Sequence, residues 1–326
     1  MASNGFGGES NGYSGGLAFP TTRGAGSGGV EATGILDSRI LPDTEYLDQW
    51  DAVIVDECQK TRLLAQAILN FTLREKVNRA RLPQHGLIVL HGPPGTGKTS
   101  LARGLSARTA EVIGSLGEFR FVEVEPHALA SAALGKSQRA VRELLGQTIA
   151  EQAERGPLIV LLDEVETLAA DRSRMSMDAN PIDVHRATDA VLAQLDQLAA
   201  TYPHLLFIAT SNFTQAVDGA FLSRADLIEH VGLPNVAACR AILTSSVEEL
   251  ARVFPTTHQI IQQREFESAI DSCLGLDGRR IRKLIISACA LRKETAIDPG
   301  QLTAADLLEA VTQAQKEAKS AQKDES

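Results

Sequence analysis

The apolar positions of this chain change period along its length, and the changes mark the elements. Residues 86–90 (GLIVL) and 157–162 (PLIVLL) are nearly continuous apolar runs, partly β-branched, as strands covered on both faces require. Residues 204–210 (HLLFIAT) form another such run, residues 119–124 (FRFVEV) alternate, and residues 228–232 (IEHVG) predict a last short strand. Between them the period turns helical. Leu63, Leu64, Ala67, Ile68 and Phe71 share one face of a helix from about Asp56 to Asn70, which WDAVIV (50–55) precedes. Further helices are predicted from about Ser100 to Ala110, Gln138 to Arg155 and Asp183 to Leu198. Strands alternating with helices give an α/β fold, a parallel sheet flanked by helices. Beyond Asn235 the strand signal stops. Amphipathic segments near 236–251, 264–273, 278–293 and 303–319 predict a small all-α second domain.

The ends read differently. The chain opens with Gly, Ser and Asn (NGFGGESNGYSGG, then RGAGSGGVEATG), too poor in apolar surface to offset the entropy of ordering. This predicts a disordered tail. It is either a dispensable leader or, through Phe6, Tyr13 and Phe19, a contact to a partner. The last residues, KEAKSAQKDES, predict a charged, frayed end. The expected organisation is a tail at 1–42, a large α/β unit at 43–234, a helical unit at 235–318 and a C-terminal tail at 319–326.

A net charge of −9 over 326 residues argues against a mainly electrostatic nucleic-acid surface, while leaving room for a local basic pore. The four cysteines, Cys58, Cys239, Cys273 and Cys289, form no C-x-x-C pair. They read as buried thiols of a reducing compartment, neither disulfides nor zinc ligands. No run approaches transmembrane length, and the N-terminus lacks a basic region followed by an apolar core. The expected location is the cytoplasm, without membrane contact.

The chemistry concentrates at the predicted strand ends. Gly92, Pro93, Pro94, Gly95, Thr96, Gly97, Lys98 and Thr99 fit G-x-x-x-x-G-K-[ST], with an apolar strand before them and a helix starting at Ser100 behind them. Glycines there let backbone N–H groups close on phosphate oxygens, and the following helix adds the positive end of its dipole. Lys98 would reach the β- and γ-phosphates and Thr99 would ligate Mg²⁺. The next buried strand ends in Asp163-Glu164. Asp163 would hold Mg²⁺ through its water shell, and Glu164 would polarise the attacking water. A third strand ends in Ser211-Asn212, whose amide can sit between the γ-phosphate and that water. Arg224 is either an arginine finger reaching a neighbouring subunit or an intrachain partner of Asp226. Arg279, in GRRIRK at a helix start, could report the phosphate state to the lid, with Arg280 and Arg282 on a solvated or interface face.

These residues, in this order, resemble an AAA+ ATPase: a P-loop α/β module followed by a small all-α lid. More narrowly, LHGPPGTGKTSL (90–101), DEVETLAADR (163–172), AVLAQLDQL (190–198), TSNFTQAVDGAFLSRADL (210–227) and GLDGRRIRKL (275–284) resemble the pachytene checkpoint protein two / thyroid receptor-interacting protein thirteen family. The resemblance implies a ring hexamer that spends ATP, with Mg²⁺, on partly unfolding HORMA-domain proteins. It implies that Lys98 and Thr99, with Ser100 beside them, bind nucleotide and Mg²⁺. Asp163 and Glu164 then run hydrolysis, Asn212 is the first sensor, Arg224 the finger and Arg279 the second sensor. Val53, Ile54 and Val55 would line the adenine pocket.

Two departures from the family refine this. Only the Gly/Ser-rich tail and a short lead-in precede Trp50, where eukaryotic members carry a folded adaptor-binding domain. That is similar to short bacterial members, which accompany a HORMA protein and a cyclic-oligonucleotide synthase in anti-phage signalling as the off-switch. The substrate-gripping pore loop should lie in HALASAALGKSQ (127–138), where the family has an aromatic and this chain offers Ala133 and Leu134, with Lys136 nearby. These residues either grip a client or pack the loop. The competing readings are a eukaryotic-type checkpoint remodeller, a DNA-associated AAA+ motor, a protease-associated unfoldase and a non-catalytic scaffold.

Overall fold

Residues Leu158–Leu162 are buried at every position, so this strand needs a layer on each side, and the chain supplies both. The computed structural model describes residues 34–125, 137–167, 181–213, 215 and 217–324, with the backbone alone at 137–138, 181–187 and 321–324. The strands are β1 (Ile35–Leu41), β2 (Leu87–His91), β3 (Phe119–Val124), β4 (Leu158–Leu162), β5 (Leu205–Ser211) and β6 (Leu227–His230). They form one sheet in the order β1-β3-β4-β5-β2-β6. Around it run α1 (Thr44–Ala52), α2 (Glu57–Leu73) and α3 (Lys98–Ile113). α4 is one helix in pieces, α-helical over Ser137–Glu143, a π segment over Leu144–Ile149, and α-helical again over Ala150–Ala153. α5 (Pro181–Thr201) and the short α6 (Gly219–Leu222) complete this part.

Alternate strand residues feed two cores, as the period of two requires. Leu87, Val89, Val122, Val160 and Phe207 pack with Val141, Leu144 and Leu195 of α4 and α5. Ile88, Leu90, Phe121, Ile159 and Ile208 pack with Trp50, Leu63, Leu101 and Leu105 of α1, α2 and α3. Each buried Leu or Ile stabilises by about 1.5–3 kcal/mol, so β4 anchors the sheet more firmly than edge strand β6, where Ile228 is exposed.

The expected tail is too long. Residues 35–41 form β1, which runs antiparallel to β3 from Ile35 opposite Val124 to Leu41 opposite Phe119. The sheet is therefore mixed, with every other pairing parallel. ILDSRIL hides the strand because its apolar residues cluster at the two ends instead of alternating. What holds it is the next turn of chain. Asp43 caps α1 by accepting from the Tyr46 N–H. The Tyr46 ring packs edge-on against Phe121, with centroids 5.1 Å apart, and its hydroxyl donates to Asp37 at 2.8 Å. Arg39 donates to Asp37, Asp43 and Glu45. Trp50 accordingly belongs to a helix, and only 53–56 remain as the connection to α2, with Asp56 capping it.

The second, helical core holds α7 (Val236–Val253), α8 (Arg264–Ser272), α9 (Gly278–Cys289), α10 (Lys293–Ile297) and α11 (Ala304–Asp324). Ile242, Phe266, Ile281, Leu284 and Leu307 are at its centre. α11 continues to Asp324, so the expected frayed end from 319 is helical over most of its length. Ala, Gln, Lys and Glu are good helix formers and need no core to extend an existing helix. Cys239 and Cys273 are buried thiols as expected, whereas Cys58 is exposed at the start of α2. Among the described residues no helix is long and apolar enough to cross a membrane.

Candidate functional site

The neighbours β4, β5 and β2 end side by side. Leu162 pairs with Ala209, and His91 pairs with Ser211, so the loops leaving these three strands meet in one crevice. The loop after β2 turns on glycines. Gly97, at φ 92°, caps α3. Gly95, at φ 79°, has no room for a side chain, since a Cβ there would stand 2.2 Å from Oδ1 of Asp277 in the helical unit.

Lys98 opens α3 and is 6% exposed. Its ammonium donates to the carbonyls of Gly92 at 2.9 Å and Pro93 at 2.8 Å, and to Oδ1 of Asn212 at 2.8 Å. Burial pushes its pKa below the usual lysine value, and the nearby Glu166, Asp163 and Glu164 oppose that shift. Next to it the Thr99 hydroxyl donates to Oδ1 of Asp163 at 2.9 Å. The Thr210 hydroxyl donates to the same oxygen and accepts from the Glu164 N–H at 3.1 Å. Glu164 is in the left-handed region at φ 50°, a strained position for a residue with a Cβ. Nδ2 of Asn212 donates to Oε1 of Glu164 at 3.3 Å, and the Asn212 backbone N–H donates to Oε1 of Glu166 at 3.1 Å.

Two adjoining cavities lie along this frame. One, about 180 Å³, is lined by Gly95, Gly97, Lys98, Thr99, Ser100, Asp163, Glu164, Asn212 and Arg279, with Pro94 and Thr210. The other, about 210 Å³, is more apolar, with Val53, Ile54, Pro234 and Ile242 on its walls and Thr96, Gly278, Arg279 and Arg282 at its rim. The helical unit closes on both. The Arg279 N–H donates to the Gly95 carbonyl at 3.1 Å. Asp277 caps α9 through the Arg280 N–H at 3.0 Å. The donor set suits a magnesium nucleotide: the loop's backbone amides and Lys98 would meet phosphate, and Thr99 with Asp163 would offer hard oxygens. Among the described residues no three His, Cys, Asp or Glu side chains gather as a separate metal site.

Several expectations need correction. Val55 is not in the apolar cavity; it faces a separate hollow with Asp56 and Glu57, because the chain has already turned towards α2. Arg282 is not merely solvated, since it donates to the Ala52 carbonyl and reaches the apolar cavity. Arg224 does have an intrachain carboxylate partner, but it is Asp196. Asp226 instead accepts from the N–H groups of His85, Gly86 and Leu87. Ala133, Leu134 and Lys136 lie outside the described residues. Thr210, Glu166 and Asp277 escaped the sequence reading as site residues. An Asp directly before Gly278-Arg279 is a helix-cap signal that would have found Asp277. Glu166, two residues past Glu164, carries no such mark.

The model of the ATPase family associated with various cellular activities (AAA) matches residues 88–233. CD-NTase-associated protein 6 of Pseudomonas aeruginosa is 56% identical over 281 residues, which cover 86% of this chain and 92% of that protein. The chain belongs to the AAA family of ATPases. Within this family it is also similar to the pachytene checkpoint protein 2 homolog of Danio rerio, 32% identical over 280 residues. That match takes in 79% of this chain and 66% of the relative, so the chain spans just under two thirds of its length. Among solved structures, one of the E. coli MS115-1 HORMA:CdnC:Trip13 complex matches with a TM-score of 0.65 over 86% of this chain and 95% of the matched one, at 18% identity. At that identity the likeness speaks for the AAA fold.

Proposed function

We propose that this chain hydrolyses ATP as a homohexamer and uses the cycle to partly unfold a HORMA-domain protein. In doing so it would dismantle the complex of that protein with a cyclic-oligonucleotide synthase and act as the negative regulator of a cytoplasmic anti-phage system. The partner reading rests on the 56% identity to a CD-NTase-associated protein across nearly the whole of both chains. A chain of the same fold held with HORMA and CdnC supports the form of the client.

The hydrolytic reading rests on one arrangement, the amide of Asn212 joined to both Lys98 and Glu164. Lys98 would leave its carbonyl partners to neutralise phosphate oxygens. Thr99 and Asp163 would hold Mg²⁺, which when bound shields the charge of the β- and γ-phosphates. Glu164 has Oε1 on Asn212, leaving Oε2 to polarise the attacking water and take its proton. Asn212 fixes that carboxylate and senses the γ-phosphate. Arg279 ties the lid to the loaded site, and Arg224 serves the site of a neighbouring subunit. Client grip stays with Ala133, Leu134 and Lys136.

The test uses Glu164→Gln beside the native chain, each mixed with a purified HORMA–synthase complex and ATP. The variant should bind ATP yet turn over at least ~10²-fold more slowly, because water is no longer activated. The native chain should separate the complex and the variant should not. Native turnover in the variant would sink the hydrolytic assignment, and a complex that survives the native chain with ATP would sink the remodelling one.

A further inference from the structure

Arg224 sits between α6 and β6, and both cavities are lined without it. Its guanidinium is gripped in a particular way. Nε donates to Oδ1 of Asp196 at 2.8 Å and Nη2 donates to Oδ2 at 2.7 Å. Nη1 donates to the Ala220 carbonyl at 2.6 Å. A guanidinium carries five N–H bonds in one plane. The bidentate pair takes the side edge, and one further bond goes to the carbonyl. One N–H on each terminal nitrogen is left, two donors that can meet phosphate oxygens.

Asp196 is itself set by its fold, in the penultimate turn of α5, with its backbone carbonyl accepting from Arg79 at 3.5 Å. Two residues beyond Arg224, Asp226 anchors the same segment to the start of β2 through three backbone N–H groups. The arginine is thus fixed at both its backbone and its side edge.

We infer that Asp196 is a positioning residue for Arg224, holding the guanidinium by its side edge so that its remaining N–H bonds face the nucleotide phosphates of a second copy of this chain. This rests on the proposed role of Arg224 in trans. Asp196 touches no substrate and acts only through the arginine it orients. An Asn at 196 keeps the shape but loses the charge and one of the two acceptors. The guanidinium then swings, and misplacing a group that must meet a transition state costs rate more than binding.

The experiment mixes subunits. Glu164→Gln supplies an intact finger and a dead site, whereas Arg224→Ala supplies an intact site and no finger. Mixed oligomers should hydrolyse ATP well above either parent, which tests the trans role. Asp196→Asn is then added to one partner at a time. In the finger donor it should lower the rescued kcat about tenfold or more, with KM nearly unchanged. In the Arg224→Ala partner it should have no comparable effect. A merely structural role would cost activity from either side. No rescue in the first mixture overturns the trans reading and the inference with it. Rescue that survives Asp196→Asn in the donor, or falls equally from both sides, overturns the inference alone.

Discussion

The Lys98 ammonium stands 2.8 Å from the side-chain oxygen of Asn212, and the nitrogen of that same amide stands 3.3 Å from Glu164. One amide links the cation that meets phosphate to the carboxylate that meets water. Asn212→Ala breaks the link and leaves every residue of the phosphate loop in place, with Lys98 still donating to the Gly92 and Pro93 carbonyls. The expected outcome is turnover down by about 10²-fold, with a fluorescent ATP analogue still bound within roughly a few-fold of its native affinity. Steady-state kinetics and a binding titration check the two halves separately.

The contact between Gly95 and Asp277 makes the lid sensitive to a single methyl. Gly95→Ala places that methyl 2.2 Å from the carboxylate and keeps the backbone at φ 79°. ATP affinity should fall by about tenfold or more, read by calorimetry. Adding Asp277→Ala removes the clash and leaves the backbone strain, so only part of the loss should return.

Glu123 is buried at 1% exposure on β3, and Arg103 of α3 holds it at 2.9 and 2.7 Å. Arg103→Leu would leave this carboxylate without its cation. The expected cost is about 3–5 kcal/mol, visible as a fall in Tm. Arg108, exposed one turn and a residue along the same helix, pairs with an exposed Glu111, and Arg108→Leu should cost no more than about 1 kcal/mol.

Burial pushes the Cys273 thiol up to about 12. At pH 8 its thiolate is roughly one part in 10⁴, and the thiolate is the reactive form. A thiol reagent should therefore label exposed Cys58 quickly and reach Cys273 only when the helical unit opens. The folded thiol keeps its proton to higher pH than the unfolded one. This contribution to stability is full below pH ~9 and is lost as the pH rises towards ~12. Cys273→Ser should remove that alkaline slope in a urea titration.

The phosphate loop, Asp163-Glu164 and Asn212 were legible because each comes directly after an unbroken apolar run, and apolar runs are what a buried parallel strand must be. Arg279 was legible from its helix start. Arg224 was given Asp226 as its alternative intrachain partner, whereas the carboxylate it holds is Asp196. Asp196 is 28 positions away, and only the packing of α5 against the segment before β6 brings the two together. β1 was missed for a related reason, since an edge strand answers to its neighbour more than to its own pattern. Tyr46 and Arg39 fix it through side chains that no periodicity displays.

β1 also sets where the molecule can be pulled. Its first residues lie beside the last of β3, with the Glu125 N–H donating to the Gly34 carbonyl at 2.9 Å. Tension on the chain ahead of β1 loads that ladder from one end and opens it a pair at a time, like a zip. The parallel ladders of β3, β4 and β5 would instead be sheared, with every bond loaded together. A tether at the N-terminal side is thus a mechanical fuse. β1 is held by one ladder alone, so it would give way before β4, which is paired on both sides at the nucleotide crevice.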